Sequence, residues 1–218
     1  MLDVLLDLLF PRRSLSGVEG SFVTKAEREN LCLTALLLTT EKLRSRGLRY
    51  LDAVASAGRY DDSEDLKKMI LTYKYKSVPA FADDLAHRMD EALNALLPAF
   101  GKGSEPVLCP VPLHWVRRNE RGFNQAEQLA VRIAKARDWK AEELLFRVRR
   151  TGHQAHRKRS ERLVALLGAF AVKPDVGIPR RVILIDDLCT TGATLEECAR
   201  MLKNAGAREV YGLVAASG

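Results

Sequence analysis

Four consecutive apolar residues, Val182-Ile183-Leu184-Ile185, run without a polar interruption into two adjacent carboxylates and a hydroxyl-rich turn. A run that short and continuous fits a strand covered on both faces, the environment of a central strand in a parallel sheet. The neighbouring segments agree. Strands are expected at 107–111, near Leu145, and at 169–172, 181–185 and 209–214, with helices at about 124–137 and 193–205 among them. Strands alternating with helices make an α/β fold, a mainly parallel sheet with helices on both faces, and ligands of such sheets bind beyond the carboxyl ends of the strands.

The first part of the chain is patterned differently. Leu2, Leu5, Leu6 and Leu9 place one apolar face on a short helix, and Thr24-Lys25-Ala26-Glu27 reads as a capping box opening a helix that runs to about Arg46, before Gly47. Residues 1–47 are thus expected to be a small helical extension, and 48–218 the α/β domain. Within 48–60 one or two strands are expected; Asp61 or Asp62 caps a helix to about Tyr73, and Pro79 opens another with Phe81, Leu85, Met89 and Leu93 on its apolar face. Residues 98–106, with Gly101 and Gly103, form a loop.

The net charge of +7 is unevenly placed. Residues 147–162 carry Arg147, Arg149, Arg150, Arg157, Lys158, Arg159 and Arg162 against Glu161, and residues 114–122 add Arg117, Arg118 and Arg121 against Glu120. These two stretches supply the whole excess, so the remainder is a nearly neutral body. Such a run is often only a solvated face, but this one also holds Thr, Gly, Gln and two His and lacks an apolar stripe. Its charge suits anionic partners, phosphates or nucleic acid. The four cysteines form no CxxC pair, which gives zinc no support and free thiols in a reducing, cytoplasmic setting the better fit. The apolar start has no basic leader and is interrupted by Asp3 and Asp7, and no apolar run approaches the roughly 20 residues of a membrane span.

The chemistry is concentrated after the apolar run, in Asp186-Asp187-Leu188-Cys189-Thr190-Thr191-Gly192-Ala193-Thr194. Carboxylates are acceptors only, and two adjacent ones at a strand end match the two hydroxyl donors of a ribose. The segment from Cys189 through Thr194 adds hydroxyls, a glycine that lets a ligand approach the backbone, and free amides at a helix N-terminus, a cradle for a phosphomonoester. Singly, each feature is what a turn and a helix cap would also show. Together, at these offsets, they describe a ribose 5-phosphate site, and neither a Walker A loop nor GxGxxG is present.

This segment resembles the phosphoribosyl-diphosphate (PRPP) loop of type I phosphoribosyltransferases. Three segments combined resemble the ComF family within that superfamily: Val111-Pro112-Leu113-His114 with Arg121-Gly122-Phe123-Asn124-Gln125, then Thr151 to Gln154 with Arg162 and Ala169-Phe170, then the PRPP loop. Leu5 to Pro11 and Tyr73-Lys74-Tyr75-Lys76 also resemble that family. The resemblance implies a type I phosphoribosyltransferase-like fold, with Asp186 and Asp187 on the ribose hydroxyls and residues 189–194 on the 5-phosphate. By their place in the family order, His114, Arg117, Arg118 and Arg121 fall in the diphosphate loop. Arg150, Gln154, Arg157, Lys158, Arg159 and Arg162 fall in the flexible loop, where they could meet diphosphate or DNA. Many ComF relatives carry zinc-binding CxxC pairs after the Leu-Phe-Pro segment; Ser14 and Ser16 stand there in this chain, so zinc is not carried over. Ala165 likewise stands where the family often has Asn.

The resemblance further implies a cytoplasmic protein linked to DNA uptake in natural transformation, acting with a competence helicase on single-stranded DNA. Two functions stay open. One is transfer of phosphoribose to a nitrogen acceptor with release of magnesium diphosphate; the other is a non-catalytic, single-stranded-DNA-binding accessory role. A glutamine-dependent amidophosphoribosyltransferase is disfavoured, since it needs a cysteine nucleophile at its N-terminus and a separate glutaminase domain, where this chain reads Met1-Leu2.

Overall fold

The computed structural model describes residues 14–31, 34–76, 79–100, 103, 105–113, 116, 119, 122–149 and 165–218. The described strands are β1 (Leu36–Leu38), β2 (Ala53–Arg59), β3 (Val107–Pro110), β4 (Lys140–Ala141), β5 (Leu145–Arg147), β6 (Phe170–Val172), β7 (Arg181–Cys189) and β8 (Glu209–Ser217). The helices are α1 (Lys25–Asn30), α2 (Thr40–Ser45), α3 (Glu64–Lys76), α4 (Pro79–Leu93), α5 (Gln125–Arg137) and α6 (Ala193–Asn204). Six strands form one sheet in the order β1-β2-β8-β7-β3-β4, and β5 pairs with β6 in a separate antiparallel ribbon. All neighbours in the large sheet are parallel except β1, which lies antiparallel on the β2 edge.

The unbroken apolar run sits where its composition demands. In β7, Ile183 and Ile185 join a core with the apolar faces of α3, α4 and α5, while Val182 and Leu184 join a second core with Leu43 of α2 and Leu195, Cys198, Ala199 and Leu202 of α6. Successive strand residues point to opposite faces, so a strand with helices above and below needs an apolar residue at every position. On α4, Phe81, Leu85, Met89 and Leu93 are all buried, as their spacing predicts.

Three expectations change in detail. The helix expected to run from the Thr24 capping box to Arg46 is instead α1, then β1, then α2. The capping box forms, Glu27 N–H donating to Thr24 Oγ1 at 3.1 Å and Thr24 N–H to Glu27 Oε2 at 2.7 Å, but three consecutive leucines have no helical stripe and pair instead with the free edge of β2. This strand precedes residue 47 and still belongs to the large sheet, as Leu43 belongs to its core. The segment 48–60 holds one strand, β2, within the one or two expected there. The cap of α3 is Ser63, whose Oγ accepts from Leu66 N–H at 3.1 Å, rather than Asp61 or Asp62, and the helix continues past Tyr73 to Lys76. Finally, β7 runs on through both aspartates to Cys189, because β8 stays paired with it as far as Ser217.

Ahead of α1, Ser14, Ser16 and Glu27 form a small hydrogen-bonded knot. Ser14 Oγ and Ser16 Oγ lie 3.1 Å apart, and Ser16 N–H donates to the buried Glu27 carboxylate at 2.6 Å. Burial raises the Glu27 pKa, but the hydrogen bonds from residues 14, 16 and 24 outweigh it and hold this carboxyl at about 2.

Candidate functional site

The connections of the sheet locate the site. From β3 the chain passes through α5 to β4 on one side, and from β7 it passes through α6 to β8 on the other. The adjacent carboxyl ends of β3 and β7 are therefore a topological switch point, where an open α/β sheet leaves a crevice. The prolines 110 and 112 end β3 there; its last ladder contact is Val111 N–H to Ile185 O at 2.9 Å.

A cavity of about 160 Å³ occupies this crevice. Val111, Pro112 and Leu113 line it after β3, Asp186 and Asp187 from β7, Asn124 to Ala126 from the start of α5, Thr194 from the first turn of α6, Lys74 from α3 and Arg147 from β5. Two helix N-termini thus abut it, each with the partial positive charge of the helix dipole. A second cavity of about 170 Å³ is lined by Arg28, Leu66, Met69, Asp84 and Arg88 among others, by helices and no strand end.

The aspartates are neighbours on an extended chain, so they leave the strand toward opposite faces. Asp187 follows Ile183 and Ile185 to the α3–α5 side, where its Oδ1 lies 3.0 Å from Lys74 Nζ; the two side chains are 10% and 18% exposed. Asp186 follows Leu184, and its Oδ1 accepts from the Asp187 N–H at 2.9 Å. Burial, followed by the negative charge of Asp187, pushes the Asp186 carboxyl up to about 7, against the opposing pull of Lys74 and Arg147.

The turn after β7 depends on one glycine. Gly192 precedes α6 with φ +80°, and a Cβ there would lie 2.6 Å from Leu48 Cδ1. Only glycine meets both conditions without strain. The loop bearing Leu48 is itself tied to α6, since Glu196 accepts from the amides of Arg49, Tyr50 and Leu51. Gly168 N–H is fixed to the same helix through Glu197 Oε1 at 2.7 Å.

Of the sequence-predicted residues, Asp186, Asp187 and Thr194 are brought together in the cavity. Thr190, Thr191, Gly192 and Ala193 form the turn and helix start beside it, Thr190 being exposed. Cys189 differs: its side chain is 6% exposed and turned into the core. Cys109 and Cys198 are wholly buried, and burial raises both thiols, Cys109 to about 12. These described thiols fill space rather than face a ligand. His114, Arg117, Arg118, Arg121, Arg150, Gln154, Arg157, Lys158, Arg159 and Arg162 lie outside the described residues, as do Leu2, Leu5, Leu6, Leu9 and Cys32.

Sequence reasoning did not assign Lys74 or Arg147 to this cavity. The first stood in the Tyr73 to Lys76 stretch and the second in a basic run, and only the fold brings them to Asp186 and Asp187. Asn124 and Gln125 acquire structural roles. Asn124 caps α5, accepting from Ala126 N–H at 3.2 Å, and donates to Val111 O at 3.2 Å. Gln125 donates to Lys74 O at 3.3 Å, and its own carbonyl accepts from the buried Tyr73 hydroxyl at 2.9 Å. The Asn-Gln pair thereby fastens three walls of the cavity to one another.

Residues 55–216 match the family of the phosphoribosyl transferase domain. Competence protein ComFC of Streptococcus pneumoniae is 39% identical over 100 residues, 46% of this chain and 43% of that protein. Competence protein F of Haemophilus influenzae is 36% identical over 115 residues, half of each chain. The alignments thus span about half the length of these curated relatives or less. Among solved structures, glutamine PRPP amidotransferase from B. subtilis, complexed with ADP and GMP, covers 66% of this chain and 30% of its own at 22% identity, with a TM-score of 0.39, too slight a likeness to argue from. The match over residues 55–216 establishes that the chain belongs to the phosphoribosyl transferase domain family, within which it is similar to the ComFC and competence F proteins.

Proposed function

We propose that the protein binds PRPP at the carboxyl ends of β3 and β7 and serves DNA uptake. The observation that carries this reading is the convergence of two carboxylates, two cations and two helix N-termini on one switch-point cavity. Asp186 and Asp187 accept from the ribose hydroxyls. Thr190, Thr191 and Thr194, with the first amides of α6, take the 5-phosphate. His114, Arg117, Arg118 and Arg121 meet the diphosphate. Magnesium enters as part of the substrate, carried by the diphosphate.

In a transfer reaction a nitrogen nucleophile forms the new bond to C1 as the C1–O bond breaks. Diphosphate leaves with the electron pair of that bond, and the nitrogen gives up its proton. Positive charge developing at C1 would lie near Asp186 and Asp187, which stabilise it electrostatically. The competing reading, a non-catalytic factor for single-stranded DNA, is supported by the local charge of residues 147–162 and by the competence relatives.

Calorimetry with PRPP and magnesium tests the site: wild type binds, and the double variant Asp186→Asn/Asp187→Asn does not. Equal binding overturns the site. Release of diphosphate with one member of a panel of bases marks a transferase; binding without release marks the accessory role.

A further inference from the structure

Lys74 is the cavity residue whose chemistry the proposed site leaves unused. It projects from the last turn of α3, an element outside both basic segments, and its backbone is held by Gln125. Among the described residues its ammonium has one partner, Asp187 Oδ1, although it carries three N–H donors. The ion pair is largely withdrawn from solvent yet forms part of the cavity wall. Asp187 in turn keeps Oδ2 for a hydroxyl donor. A ligand hydroxyl on Asp187 therefore lies within reach of the remaining donors of Lys74, and an oxyanion beside that hydroxyl completes them.

We propose that Lys74 is a specificity-determining residue that grips Asp187 with one N–H and an oxyanion of the ligand with another, so that the site selects a diol flanked by diphosphate. The proposal rests on the PRPP reading and names the side chain that distinguishes PRPP from ribose 5-phosphate. Other described residues on this cavity do not duplicate the role. Arg147 stands on a different element, with its guanidinium 5.3 Å from the Phe170 ring, and at the α5 terminus the Ala126 amide is taken by Asn124.

The test is calorimetric titration, in magnesium buffer, of PRPP, ribose 5-phosphate and inorganic diphosphate into wild type, Lys74→Met, Lys74→Arg, Asp187→Asn and the double variant Lys74→Met/Asp187→Asn. Loss of a charge-assisted contact predicts about tenfold or more weaker binding of PRPP and of diphosphate to Lys74→Met, and less than about threefold change for ribose 5-phosphate. Lys74→Arg restores the affinity, and the Lys74→Met effect persists in the Asp187→Asn background. Equal weakening for all three ligands, or an effect that vanishes once Asp187 is gone, overturns the proposal, because Lys74 is then only a counter-ion. Wild-type PRPP binding that Lys74→Met leaves untouched also overturns it while sparing the PRPP reading. If wild type ignores PRPP, that reading fails and the diphosphate arm decides alone: Lys74-dependent binding of diphosphate keeps the anion contact, and its absence removes it. Should Lys74→Met fail to fold, Lys74→Gln replaces it, judged against the same thermal midpoint as wild type.

Discussion

Replacing Asp186 with Asn should stabilise the protein above neutral pH while weakening its site. In the folded chain the Asp186 carboxyl keeps its proton to about pH 7, through burial and the adjacent charge of Asp187, whereas the ordinary value is 3.8. Between those values the unfolded chain holds fewer protons than the folded one, so stability falls as pH rises, and the loss is complete above the folded value. At about 1.36 kcal/mol per unit, roughly three units correspond to about 4 kcal/mol. The side chain reaches the open cavity, where solvent screens its charge, which leaves about 2 to 4 kcal/mol for this group. Asn preserves volume and the Oδ1 acceptor for the Asp187 N–H, but it never ionises. Urea unfolding of both proteins across the range from about pH 4.5 to 8.5 should show two curves that lie closest at the acid end and separate progressively up to about pH 7, Asp186→Asn becoming the more stable. Curves that stay parallel through neutrality would refute the reasoning. The same variant should bind PRPP more weakly, so that wild type gives up stability for a carboxylate acceptor in its site.

Gly192→Ala combines a left-handed backbone with a Cβ driven against Leu48, and should cost about 2 to 4 kcal/mol in chemical denaturation while lowering PRPP affinity. Glu196→Ala strands the amides of residues 49–51 and should cost about 1 to 3 kcal/mol, with faster amide hydrogen exchange at those three positions as the specific readout. Asn124→Ala removes a helix cap and the tie to Val111, for about 1 to 2 kcal/mol, measured by thermal unfolding. Neutralising Arg157, Lys158 and Arg159 should abolish retention of single-stranded DNA and flatten the dependence of binding on salt; unchanged affinity and slope would count against a DNA role for that segment.

What the sequence made legible was local in origin. A four-residue apolar run can be read as a doubly covered strand because every one of its side chains must be buried, and α4 and α5 can be read because their apolar spacing repeats every turn. Extending a helix from the Thr24 capping box to Arg46 misplaces the leucines of β1. Three in a row fit no helical stripe, and their partner, the edge of β2, is specified nowhere near them. The end of β7 was drawn too early for a related reason: polar residues ordinarily mark a strand's exit, but here pairing to β8 carries the strand through both aspartates.

That extension alters the chemistry that Asp186 and Asp187 can perform. Adjacent carboxylates on a loop could turn to one side and repel each other, whereas on a strand they part to opposite faces and meet different neighbours. Asp187 meets a cation and is withdrawn as an ion pair; Asp186 meets apolar core and the charge of Asp187, and takes up a proton near neutrality. Two residues of identical type thus acquire distinct surroundings, one ion-paired with Lys74 and the other pushed by burial and its neighbour's charge toward its protonated form. The motif places two carboxylates at the end of β7; which of them meets a cation is decided by α3 and α5, joined by Gln125 and Tyr73.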